Sequence, residues 1–188
     1  MMLNKADRVL KGIEKAASTM GEDYLPIVGR EKGGLLERLV KKFKPRNVLE
    51  IGTLVGYSCI LIAKNMKKGK VVSIEVIKKN HEAAKVNIGQ AGFAKKVELH
   101  LGDALKIIPA LEGPFDFVFI DAKKSDYLKY LNAAEPLMTK NALVVADNAK
   151  RFAKEMSDYL EYVRRSGLYQ SELHDFGADG VEVSKRMR

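Results

Sequence analysis

Five short apolar runs, separated by stretches of helical spacing, constrain this chain more than any other feature. The runs lie at 47–51 (NVLEI), 71–76 (VVSIEV), 97–101 (VELHL), 116–120 (DFVFI) and 142–146 (ALVVA). Helical segments at 57–66, 78–91, 103–111 and 125–138 stand between them. Strands that are mostly apolar along their length are buried on both faces, which requires a parallel sheet with helices on each side. Two helices are expected before this series. The first, over 3–19, aligns Leu3, Ala6, Leu10, Ile13 and Ala17; after a Gly/Asp/Pro break at 21–26, the second, over 31–44, buries Leu35, Leu36, Leu39, Val40 and Phe43 and stops at Pro45. Beyond a last helix over 152–166, residues 168–174 and 180–185 read as an antiparallel hairpin around the FGADG turn. The pattern specifies one doubly wound α/β domain over 1–188, without linker or repeat.

Cys59, the one cysteine, excludes an internal disulfide. The first residues, MMLNKADRVLKGIEKAAS, are charged every few positions and carry no apolar leader, so a cytoplasmic protein is expected. No run approaches the ~20 apolar residues that cross a bilayer, and no membrane partner is expected. The 33 basic against 24 acidic residues give a net charge of +9. That excess suits a polyanionic partner, but the lysines are dispersed, and solvated helix faces account for them better.

The first run opens into Gly52-Thr53-Leu54-Val55-Gly56-Tyr57-Ser58, a glycine turn between strand and helix. A dinucleotide fingerprint starting at Gly52 needs glycines at 54 and 57, where this chain has Leu54 and Tyr57. Nicotinamide and flavin dinucleotides are thereby disfavoured, whereas S-adenosylmethionine has no phosphate and tolerates side chains there. Glu75 ends the second run, where a carboxylate accepts two hydrogen bonds from a ribose, and Asp103 follows the third, beside an adenine edge.

The fourth run is followed at once by Asp121 and the fifth by Asp147-Asn148. If those strands are neighbours, two carboxylates and an amide converge, a donor set suited to Mg²⁺ or another hard divalent cation. An Asp-Asn pair is also a common turn or cap, a reading that the partner Asp121 weakens. The cysteine and the three histidines show no zinc spacing. Lys124, three residues past Asp121, is placed to lean over such an ion and act as general base. His81, His100 and His174 read as incidental, His100 as packing. Tyr127 and Tyr130 share a helix face and read as core or subunit contacts, with acceptor contacts as the alternative.

EIGTLVGYS, FDFVFIDAKKSDYLKY, ADN and the terminal ADGVEVSK together resemble the cation-dependent O-methyltransferases, which include catechol and caffeoyl-CoA O-methyltransferases and small prokaryotic relatives. The resemblance implies a Rossmann-like class I methyltransferase fold, with a seven-stranded, mostly parallel sheet whose last strand is antiparallel. It implies metal ligands at Asp121, Asp147 and Asn148 and a catalytic Lys124. Val28, Glu50, Gly52, Thr53, Tyr57, Ser58, Glu75, Asp103, Ala104 and Asp121 would line the S-adenosylmethionine site. Residues 1–44 would help to cover cofactor and acceptor, 45–188 would form the core, and the family is commonly dimeric. One departure follows the Asp-Asn pair: Ala149-Lys150-Arg151-Phe152-Ala153-Lys154 replaces the apolar loop of relatives and enters the last helix almost at once.

The expected reaction is methyl transfer to a hydroxyl of a small phenolic or catechol-like acceptor, and the more basic mouth suits an anionic one. The alternative is a tRNA methyltransferase acting on a hydroxylated wobble uridine, which the net charge and Lys150, Arg151 and Lys154 favour. A non-catalytic cofactor- or RNA-binding module is disfavoured by the joint presence of Asp121, Lys124, Asp147 and Asn148.

Overall fold

The computed structural model describes residues 4–19 and 25–187. Leu3 and residues 21–24 of the expected break lie outside them. The elements run α1 (Lys5–Thr19), α2 (Gly29–Phe43), β1 (Asn47–Ile51), α3 (Tyr57–Asn65), β2 (Lys70–Glu75), α4 (Lys78–Ala91), β3 (Val97–Leu101), α5 (Ala104–Ile107), β4 (Phe115–Ile120), α6 (Tyr127–Ala134), β5 (Met138–Ala146), α7 (Ser157–Arg165), β6 (Tyr169–Asp175) and β7 (Gly180–Arg186).

The seven strands form one sheet in the order β3-β2-β1-β4-β5-β7-β6. The pairs among β1 to β5 are parallel, and β7 runs antiparallel between β5 and β6. This is the class I methyltransferase arrangement that the resemblance implies. Alternate residues of the central strands feed two cores. Val48, Phe117, Phe119 and Val145 pack with Leu36, Val40, Ile60 and Ile88 of α2, α3 and α4. Leu49, Val118, Ile120 and Val144 pack on the other face with Tyr127 and Leu131 of α6 and Tyr159 of α7. No helix among the described residues is long and apolar enough to cross a membrane.

Several expected helices are shorter than their apolar spacing suggests. The segment 103–111 holds only α5 and one 3-10 turn, Ile108–Ala110, because Pro109 has no N–H to continue the ladder. The helix expected over 125–138 ends at Ala134; a 3-10 turn containing Pro136 follows, and Met138 already belongs to β5. The departure after Asn148 is also corrected: the last helix begins at Ser157, not 152, and residues 147–156 form a run of turns. His100, expected to pack, stands half-buried on edge strand β3 and pairs with Glu98 at 2.8 Å.

Because the chain leaves β1 toward β2 and β3, then returns to β4 and β5, the sheet has its switch point between β1 and β4. Ligands of open α/β sheets bind in the crevice that such a switch opens at the carboxyl ends of the strands. The residues just past those ends stay in step with it. Gly52 N–H donates to the Ile74 carbonyl (3.0 Å), Asp121 N–H to Ile51 (2.9 Å) and Asp147 N–H to Ile120 (3.0 Å).

Candidate active site

A cavity of about 830 Å³ opens along this edge. Of the residues that the sequence assigns to cofactor, metal and catalysis, all but one line it; Glu50 lies beneath the floor, fully buried. Glu50 faces the α3 side of β1, where Ser73 donates to its Oε2 while its Oε1 meets no donor. Burial pushes its carboxyl up to about 7.

At one end of the cavity, Glu75 is held by the backbone. Leu54 N–H donates to its Oε2 (2.7 Å) and Ile77 N–H to its Oε1 (2.8 Å). One donor per oxygen leaves lone pairs on both for a diol. The turn that supplies Leu54 depends on Gly52, at φ +97°, where a Cβ would lie 2.1 Å from the Asp121 carbonyl oxygen. Leu54 itself takes φ +50° and lines the cavity, so a side chain stands where a pyrophosphate needs bare backbone. Asp103 does serve as a cap, accepting from Leu105 N–H at 3.0 Å, and it lines the cavity as well. Tyr57 presents its ring, while its hydroxyl turns away to donate to Glu14 of α1 (2.7 Å), which Arg30 of α2 also binds (2.7 Å).

At the other end, β4 and β5 are parallel neighbours with Ile120 opposite Ala146, so Asp121 and Asp147 leave adjacent strand tips. Lys124 is no solvated lysine. Its Nζ donates to Asp121 Oδ1 (2.9 Å) and to the Tyr127 hydroxyl (3.0 Å), which in turn donates to the Asp147 carbonyl (3.3 Å). Tyr127 is fully buried, edge-on to Tyr159, whereas Tyr130 reaches the cavity wall.

Two residues of this end escaped the sequence reading. Lys32, from α2, donates to both oxygens of Asp147 (2.7 Å each) and to Asp179 Oδ2 (2.9 Å). Asp179, in the turn between β6 and β7, also accepts from Asn148 Nδ2 (2.6 Å) and, on Oδ1, from the N–H groups of Arg151 (3.2 Å) and Gly180 (2.7 Å). Burial opposes the charge of Lys32, yet Asp147 and Asp179 hold its ammonium above the usual range. Burial and then the charge of Asp121 push the Asp147 carboxyl above the usual carboxylate range, against the pull of Lys32.

Among the described residues, no three His, Cys, Asp or Glu side chains gather as a metal centre. The donor set at the strand tips is two carboxylates and an amide, and it suits a hard cation. Asp147 is pressed by the negative charge of Asp121, a demand for positive charge that Lys32 meets in part. Asn148 gives its amide nitrogen to Asp179, which leaves its oxygen as a donor.

A family profile described as O-methyltransferase matches residues 5–165. The chain belongs to the O-methyltransferase family. A catechol O-methyltransferase of Mycobacterium tuberculosis is 41% identical over 138 residues, 72% of this chain and 63% of that protein. One from Niastella koreensis is 35% identical over 150 residues, 76% of this chain and 68% of that protein. The chain thus spans about two thirds of the length of these curated relatives. Among solved structures, the O-methyltransferase TomG from Streptomyces achromogenes, in complex with S-adenosylmethionine, superposes with a TM-score of 0.83 at 31% identity, covering 100% of this chain and 93% of that one. That neighbour's bound cofactor supports S-adenosylmethionine as the ligand of an O-methyltransferase with this sheet.

Proposed function

We propose that the chain binds S-adenosylmethionine at the Glu75 end of the cavity and methylates a hydroxyl of a small catechol-like acceptor at the Asp121 end. The observation that carries this reading is that one continuous cavity joins the backbone-held Glu75 to Asp121, Lys124, Asp147 and Asn148. The names of the catechol O-methyltransferase relatives support the acceptor class. Nothing in the comparisons supports the tRNA alternative.

S-adenosylmethionine supplies a methyl group on a sulfonium centre. Asp121, Asp147 and the Asn148 amide oxygen would hold a divalent cation such as Mg²⁺, which supplies Lewis-acid polarisation of the acceptor hydroxyl. Glu75 fixes the ribose and the Gly52 turn brings backbone close to the cofactor. Asp121 and Tyr127 set the position of the Lys124 nitrogen, which accepts the hydroxyl proton at Nζ once its ammonium has released a proton to solvent. With cofactor and acceptor both bound, the methyl carbon would pass from sulfur to the acceptor oxygen, one bond forming as the other breaks, and a thioether would remain. Positive sulfonium and negative oxygen neutralise each other in this step, so alignment of the two ends governs the rate. α1 and α2 are read as the cover of the site: Val28 and Lys32 line it, and Glu14 anchors Tyr57 from behind.

Transfer of labelled methyl from the cofactor to catechol and to bulk tRNA, each with Mg²⁺ and with chelator, tests this reading. The expected result is methylated catechol with Mg²⁺ and background counts with chelator. Undiminished transfer in chelator would contradict the metal assignment, and transfer to tRNA alone would contradict the acceptor.

A further inference from the structure

Four cationic side chains line the cavity, and three are already matched. Lys32 pairs with Asp147 (2.7 Å), Lys124 with Asp121 (2.9 Å) and Lys123 with Asp126 (3.1 Å). The guanidinium of Arg151 has no carboxylate within ion-pair distance among the described residues. It lies over the Phe152 ring, 5.4 Å from the centroid, and the ammonium of Lys124 lies 5.9 Å from the same centroid. Phe152 is therefore the common neighbour of the proposed base and of a guanidinium unpaired among the described residues, with all three on the cavity wall.

The backbone here is fixed. Arg151 N–H donates to Asp179 Oδ1, and Ala149 N–H to the Gly180 carbonyl (2.8 Å), so the turn after Asn148 is tied to the β6–β7 hairpin. Of the basic trio Lys150, Arg151 and Lys154, Lys150 is paired with Asp175 outside the cavity (2.7 Å), and Lys154 does not line it. What the sequence presents as a basic cluster is, at the site, one point charge beside one aromatic ring. A polyphosphate ligand needs a stripe of cations; one fork of guanidinium N–H donors matches one planar carboxylate.

We propose that Arg151 determines acceptor specificity by binding a carboxylate on an aromatic diol, with Phe152 packing against the ring. The inference rests on the acceptor occupying the Asp121 end of the cavity. The preferred substrate is then an aromatic acid with two adjacent hydroxyls, not a neutral diphenol.

The test compares 3,4-dihydroxybenzoate with 4-methylcatechol, using labelled S-adenosylmethionine and Mg²⁺, in wild type, Arg151→Gln and Arg151→Lys. Wild type is expected to have the higher kcat/KM on the carboxylate. In Arg151→Gln the ratio of the two kcat/KM values should fall about tenfold, the lower end for a charge-assisted pair at an open rim. The loss should appear in KM more than in kcat, because the carboxylate lies away from the reacting oxygen. Arg151→Lys, which keeps the charge but not the fork, should recover part of the ratio. If both diols are methylated and the ratio is the same in wild type and Arg151→Gln, the inference is overturned while the proposed function stands. If wild type methylates neither, both fall together.

Discussion

Glu50 is a fully buried carboxyl whose partner within the sheet is the neutral hydroxyl of Ser73. Burial raises it to about 7, while in the unfolded chain it titrates near 4.5. Between those values the folded state keeps a proton that the unfolded state has released, so stability falls as pH rises through this window. Glu50→Gln removes the titration. The variant should match wild type near pH 4.5 and exceed it by on the order of 3 kcal/mol at pH 8, measured by chemical denaturation. A difference that does not change with pH would refute the buried-acid account. At this scale the sequence was informative where a residue ends a strand: Glu75, Asp121, Asp147 and Asn148 are all found at the cavity. It was silent on Lys32 and Asp179. Their partner Asp147 lies 115 and 32 positions away in the chain, and neither helical nor strand period encodes such a meeting. Only the register of the assembled sheet brings α2 and the β6–β7 turn over the tip of β5.

At the scale of elements, strand ends were legible to within a residue except at β5, which starts at Met138 and not at 142, and helices were less so. A β-branched run has few alternatives, whereas apolar spacing continues through a proline that ends the hydrogen-bond ladder. Pro109 and Pro136 shortened two helices in that way, and the turns of 152–156 carry a helical interval between Phe152 and Met156 without forming the helix expected there. The β1–α3 turn shows the opposite case, where a single residue dictates an element. Gly52→Ala would set a methyl 2.1 Å from the Asp121 carbonyl oxygen at φ +97°. Either the turn or the β4 tip must move, and both carry the site. The variant should lose more than about 2 kcal/mol of stability and bind S-adenosylhomocysteine more weakly. Calorimetry showing unchanged cofactor affinity would detach that turn from the binding site.

The molecule as a whole is two apolar layers on one sheet, with its polar chemistry gathered where the strand order reverses. The basic residues behind its net charge of +9 are dispersed over helices, turns and strands, and inside the cavity most cations are matched by carboxylates. The excess charge therefore bears little on the site, while the pairing of β4 with β5 bears on all of it, since that pairing sets two acids side by side. The most direct measurement is a crystal structure with S-adenosylhomocysteine and Mn²⁺, read by anomalous scattering. A single Mn²⁺ peak within bonding distance of Asp121, Asp147 and the Asn148 amide oxygen is the predicted result. A peak elsewhere, or none at saturating Mn²⁺, would contradict it.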